Sequence, residues 1–142
     1  MPLREIDTGT TQLQARLEAG VLTLTLDRPE ARNAMSIGML TALSERLALA
    51  ETNDDVRCVV LTGTGKAFCA GGDVKGMAGD ADGAGGAATI DGAIHRQRLV
   101  QRATAGKLFR MPKPMIAAIN GAAAGASCPV VTAPLRRFTR RR

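Results

Sequence analysis

From Leu13 to Leu26 the chain sets apolar against polar positions in two short runs. In the second, VLTLTL, Leu22, Leu24 and Leu26 fall on one side and Thr23 and Thr25 on the other, and Leu13 to Leu17 precede it across Ala19-Gly20. A period of two around a short turn predicts a β-hairpin with one buried face. The period then changes. After the turn residues of DRPEARNA, Ser36 stands where a helix is capped, and Ile37, Leu40, Leu43, Leu47 and Ala50 recur three and four apart, which predicts an amphipathic helix. CVVLT at 58–62 and MIAAI at 115–119 are continuous apolar runs, the pattern of strands covered on both faces. Between them, residues 76–93 are mostly Gly, Ala and Asp and offer few packing side chains, so a mobile loop is expected. Residues 94–111 read as a helix that Pro112 ends.

The order strand, strand, helix, strand, loop, helix, strand predicts an α/β fold with Gly-bearing turns at the C-terminal ends of buried strands, where such folds bind ligands. Two of those turns carry candidate chemistry. In GTGKAFCAGGDVKGM, after the strand at 58–62, Ala70, Gly71 and Gly72 have almost no side chain, so their amides can approach and converge on an anion or a developing oxyanion. In NGAAAG, after the strand at 115–119, small residues allow close packing of a helix start, whose free N–H groups favour negative charge. Taken alone, the first is equally well read as a plain glycine turn, and small-residue helix packing is the commoner reading of the second.

Composition narrows the alternatives. The chain has 142 residues, 45% of them hydrophobic, which fits one soluble domain. No Trp, no Tyr and three Phe leave few residues on which nucleic-acid bases could stack. The net charge of +6 comes largely from Arg136, Arg137, Arg140, Arg141 and Arg142; without them the balance is 14 basic against 13 acidic residues. A solvated tail accounts for that run better than a polyanion-binding one, and no nucleic-acid partner is expected. Cys58, Cys69 and Cys128 have no metal-ligand spacing, so neither a disulfide framework nor a metal site is implied, and a reducing cytoplasm is expected. No apolar run has the length to span a bilayer, so no membrane partner is expected either. His95, with Arg96 and Arg98 beside it, reads as a surface residue. Cys69 reads as packing rather than a nucleophile, and Asp54, Asp55, Asp80 and Asp82 as solvated turn or loop residues.

Taken together and in this order, DRPEARNAMS, CVVLTGTGKAFCAGGDVKGM and KPMIAAINGAAAG resemble the signature blocks of the enoyl-CoA hydratase/isomerase (crotonase) superfamily, over about the first 126 residues. The resemblance implies a crotonase-like spiral of ββα turns, truncated here, assembled in the family as a trimer or hexamer. It implies an acyl-CoA thioester as partner, coenzyme A being part of the substrate and no separate cofactor being needed. The backbone N–H groups of Gly72 and Ala126 correspond to the two oxyanion donors. Arg28, Arg32, Ala34, Ala70, Gly71, Gly72, Asp73, Val74, Lys75 and Gly125 correspond to the substrate-binding surface, with Arg28, Arg32 or Lys75 near the CoA phosphates.

The resemblance stops near Ser127. The family hydratases supply two glutamates for proton transfer, and the first corresponds to Pro129 here, while the second falls beyond Arg142. Residues 1–126 are therefore expected to form the N-terminal part of a CoA-thioester domain. Residues 127–142 are expected to be an aberrant, disordered Pro/Arg-rich tail, as a frameshift near codon 127 would produce. The reading is hydration of 2-enoyl-CoA in fatty acid degradation, or else an inactive remnant that binds CoA or a paralogous subunit.

Overall fold

The computed structural model describes residues 2–73, 90–125 and 136–139. Eleven elements lie within them: β1 (Arg4–Ile6), β2 (Leu13–Glu18), β3 (Val21–Leu26), α1 (Ile37–Thr52), β4 (Cys58–Gly63), β5 (Ala67–Cys69), α2 (Ile90–Ala103), α3 (Ala105–Arg110), β6 (Met115–Ile119), β7 (Ala122–Ala123) and β8 (Arg136–Thr139). A 3-10 turn, Pro29–Ala31, follows β3.

The hairpin forms as its alternation predicts. Leu13, Ala15 and Leu17 of β2 and Leu22, Leu24 and Leu26 of β3 all point into the core, with Leu24 fully buried. Ala19 and Gly20 make the turn with positive φ at both positions, as a tight turn between antiparallel strands requires. Beyond β3 the sheet becomes parallel: β4 pairs with β3, β6 with β4 and β8 with β6, giving the order β1-β2-β3-β4-β6-β8. The chain reaches β4 from β3 through α1, the crossover that parallel pairing demands.

Helix α1 starts at Ser36, whose Oγ accepts the Met39 N–H at 3.1 Å and also bonds Gln12 Oε1. Replacing Ser36 with Ala is expected to cost about 1 kcal/mol, measured as a lowered urea midpoint at unchanged slope. The buried stripe is Met39, Ala42, Leu43, Leu47 and Ala50, whereas Ile37 is 61% exposed. The stripe keeps Leu43, Leu47 and Ala50 of the expected spacing, but in the first turn Met39 is buried in place of the expected Ile37, and Leu40 is half-buried. At the other end the Lys113 ammonium donates to Asn53 O at 2.6 Å, satisfying a carbonyl just past the last turn.

Three expectations change. The helix read at 94–111 is two: α2 begins at Ile90, and Thr104 separates it from α3, its hydroxyl bonding back to Val100 O at 2.7 Å. Strands β4 and β6 are not covered equally on both faces. Val59, Leu61, Met115 and Ala117 are buried, but Val60, Thr62 and Ile116, which alternate with them, are only half-buried. Finally, Arg136–Thr139, within the segment expected to be disordered, form β8. The open edge of β6 presents unpaired backbone groups that any extended segment can satisfy, whatever its side chains. The other residues of 127–142, and 76–89 of the expected mobile loop, lie outside the described residues.

Candidate functional site

Both glycine-bearing turns follow strands of the main sheet, and a second, smaller sheet joins them. β5 and β7 pair in parallel, with Ala67 opposite Ala122 and Cys69 opposite Ala123, and Ala124 N–H donates to Cys69 O at 2.9 Å. This pairing needs the glycine before it: a Cβ on Gly121 would stand 2.0 Å from Lys66 O. Gly125, with φ +59°, ends the second turn against the first, where an added Cβ would meet Gly71 Cα at 3.3 Å. The sequence predicted two turns; the structure makes them neighbours.

A third segment, 28–35, holds the first turn from the other side. Ala70 N–H donates to Arg32 O at 3.0 Å, Met35 N–H to Gly71 O at 2.7 Å, and Asp73 N–H to Met35 O at 3.1 Å. Met35 thus bridges to Gly72 through the residues on either side of it. The direction of the Gly72 N–H follows. Gly71 C=O and Gly72 N–H belong to one planar trans peptide, in which the two groups point oppositely. Because Gly71 C=O is turned toward Met35, Gly72 N–H faces away, and none of the described backbone hydrogen bonds uses it. Gly72 is exposed, and a Cβ built on it finds nothing within 4 Å among the described residues. The arrangement is an N–H turned away from segment 28–35, beside the second turn.

Segment 28–35 takes its shape from Asn33, which the sequence reading did not single out. Asn33 is fully buried at φ +56°. Its Oδ1 accepts Arg28 N–H at 2.8 Å, and its Nδ2 donates to Thr64 O and Ala67 O, both at 2.9 Å. Asn120 makes a matching link, its Nδ2 donating to Gly65 O at 3.0 Å and Ala67 O at 3.2 Å. The signal for both was an asparagine inside a turn, where a short amide can replace backbone partners.

The other candidates divide clearly. Ala34, Ala70, Gly71, Gly72, Asp73 and Gly125 surround the junction of the three segments. Arg32 is exposed at φ +51° and joins the site through its carbonyl. Arg28 is turned inward instead of being presented to solvent: its Nη1 donates to Ala34 O and to Asp73 Oδ2, each at 2.9 Å. Ala126, Val74, Lys75, Asp80 and Asp82 lie outside the described residues. Cys69 is buried, with Gly71 N–H directed at its Sγ at 3.4 Å, as a packing role requires. His95 is exposed on α2, and Asp54 and Asp55 are exposed in the turn after α1. Two surface clefts, of about 340 Å³ beside Arg57 and about 480 Å³ between β1 and α1, lie away from Gly72 and include none of its neighbours.

Residues 16–134 match the family model described as enoyl-CoA hydratase/isomerase. Among curated proteins, the chain is 41% identical over 114 residues to the 1,2-epoxyphenylacetyl-CoA isomerase of Escherichia coli, covering 79% of this chain and 41% of that protein. It is 34% identical over 124 residues to an enoyl-CoA hydratase of Mycobacterium tuberculosis, covering 83% of this chain and 42% of that one. Its fold superposes on the crystal structure of an enoyl-CoA hydratase/isomerase from Marinobacter aquaeolei with a TM-score of 0.80 at 28% identity, covering 92% of this chain and 49% of that one. The chain therefore spans about half, or somewhat less, of the length of these relatives. With three turn segments converging on an outward backbone N–H, a matching α/β fold and a family match over most of its length, this chain belongs to the enoyl-CoA hydratase/isomerase (crotonase) family.

Proposed function

We propose that the chain binds an acyl-CoA thioester with the thioester oxygen between the N–H groups of Gly72 and Ala126, and acts in hydration of a 2-enoyl-CoA. One observation carries this reading: Gly72 N–H is turned away from segment 28–35 by the bond that Gly71 C=O accepts from Met35. Two backbone donors aimed at one oxygen stabilise the enolate that forms when a nucleophile adds to the β-carbon of the enoyl thioester, and each is worth about 10² to 10³ in rate. Backbone groups of Ala70 to Val74 would lie along the pantetheine and adenine, and the CoA phosphates would meet exposed Arg32 or Lys75. The chemistry needs no cofactor apart from the CoA of the substrate. Free thiols at Cys58 and Cys69 fit a reducing cytoplasm, and among the described residues no helix is long and apolar enough to cross a membrane. A trimer or hexamer is the assembly we expect.

Pro129, which corresponds to the first proton-transferring glutamate of the family hydratases, favours a second reading, in which the chain binds the thioester without turning it over. One experiment separates them. Crotonyl-CoA is added to the purified chain, and both binding and loss of the enoyl absorbance are followed. Binding with turnover supports a hydratase, and binding without turnover supports the second reading. A folded chain that does not bind crotonyl-CoA refutes both.

A further inference from the structure

Arg28 and Asp73 lie 45 residues apart in sequence, yet Arg28 Nη1 meets Asp73 Oδ2 at 2.9 Å, with the side chains only 18% and 17% exposed. The same Nη1 donates to Ala34 O at 2.9 Å, and Arg28 Nε is 3.8 Å from Glu30 Oε1. Arg28 itself is fixed from below, because its N–H donates to the buried Asn33 Oδ1. One guanidinium therefore ties the residue immediately before Met35 to the residue immediately after Gly72. Between those ties run the two backbone bonds that orient Gly72, Met35 N–H to Gly71 O and Asp73 N–H to Met35 O. Gly72 has no side chain, and among the described residues no atom lies within 4 Å of its Cβ position, so its peptide is not held by packing of its own there. The restraint has to come from the residues on either side.

We propose that the Arg28–Asp73 ion pair is a positioning device for the Gly72 N–H, and that Arg28 acts on the thioester through this strap rather than as a phosphate ligand. The inference rests on the reading of Gly72 as a donor to the thioester oxygen. A guanidinium and a carboxylate each less than a fifth exposed form a short, directional charge-assisted hydrogen bond, which stiffens their geometry. A donor displaced by even a fraction of an ångström loses much of its effect on an oxygen that must sit at hydrogen-bond distance.

The test uses the whole chain with butyryl-CoA, a saturated thioester that cannot be hydrated, labelled with carbon-13 at the thioester carbonyl. In the unaltered chain the carbonyl resonance should move downfield on binding, reporting a hydrogen-bonded oxygen. Asp73→Asn and Arg28→Gln should lose more than about half of that displacement, while affinity for the CoA ligand changes by less than about threefold, because binding of the remote CoA portion is separable from stabilisation of charge at the carbonyl. Arg28→Lys, which keeps the positive charge opposite Asp73, should recover part of it. A folded Asp73→Asn or Arg28→Gln variant with the full displacement overturns the proposal. So does failure of both to fold, since the pair would then be holding the fold and not the amide. If the bound carbonyl of the unaltered chain keeps its free-solution resonance, the reading of Gly72 fails first and the strap with it.

Discussion

Replacing Asn33 with Leu is expected to destabilise the fold by about 4 kcal/mol, the sum of two orphaned backbone groups and a strained residue. Leucine has a similar size, so no large cavity opens, but it can neither accept nor donate. Arg28 N–H and Thr64 O would lose the partners that Asn33 supplies at 2.8 and 2.9 Å. Ala67 O would keep Asn120 Nδ2 at 3.2 Å, which is why two groups are counted and not three. The remaining cost comes from holding a branched apolar residue at φ +56°. Against a typical total of about 5 to 15 kcal/mol for a small domain, most of the chain would be close to unfolding. Equilibrium urea denaturation gives the number directly. A loss below about 1 kcal/mol would mean that water reaches segment 28–35 and replaces the amide, contrary to its complete burial.

Gly121→Ala should be nearly as severe, and its contrast with Gly72→Ala is the sharper measurement. The new methyl group at position 121 would stand 2.0 Å from Lys66 O and 2.8 Å from Lys66 C, both backbone atoms that cannot rotate away. β7 would have to move off β5, at a cost of about 3 kcal/mol. Gly125 would withdraw from Gly71 with it, so thioester binding should fall together with stability. The methyl group of Gly72→Ala meets nothing within 4 Å, and its effect on stability should stay within about 1 kcal/mol. The two thermal midpoints, measured side by side, check whether the small sheet is as tightly apposed as described. Equal midpoints would contradict it.

Much of the fold was legible because its signals are local. The Leu22-Leu24-Leu26 alternation, the cap at Ser36 and the apolar runs at 58–62 and 115–119 each specify an element from neighbouring residues alone. The small sheet was not legible in this way. Ala67–Cys69 and Ala122–Ala123 are too short to show any period, and they become strands because the turns bring them together. The break at Thr104 was hidden because threonine inside a helical pattern gives no warning of the bond its hydroxyl makes to Val100 O.

The site shows the same division. Glycines at 71 and 125, both at positive φ and packed against each other, are legible as places where backbones approach closely, since only missing side chains permit it. That Arg28 meets Asp73 could not be read, because an arginine in a turn looks the same whether it awaits a phosphate or a carboxylate distant in sequence. Asn33 and Asn120 were passed over for a related reason. Their importance lies in which carbonyls they reach, and those carbonyls belong to Thr64, Gly65 and Ala67 in another segment.

The bond from Met35 to Gly71 O has an electronic consequence as well as a directional one. A peptide group that accepts a hydrogen bond at its oxygen shifts electron density toward that oxygen and away from its nitrogen. Its N–H then becomes a better donor, by an amount on the order of 10 to 30% per bond in a chain of such groups. Gly71 O accepts at 2.7 Å, so the amide of Gly72 carries more positive charge on its hydrogen than the amide of a peptide whose oxygen accepts no hydrogen bond. Met35 gives the site a stronger acid as well as an aimed one, and it does so with its main chain alone, so that no substitution of the Met35 side chain other than proline removes the effect directly.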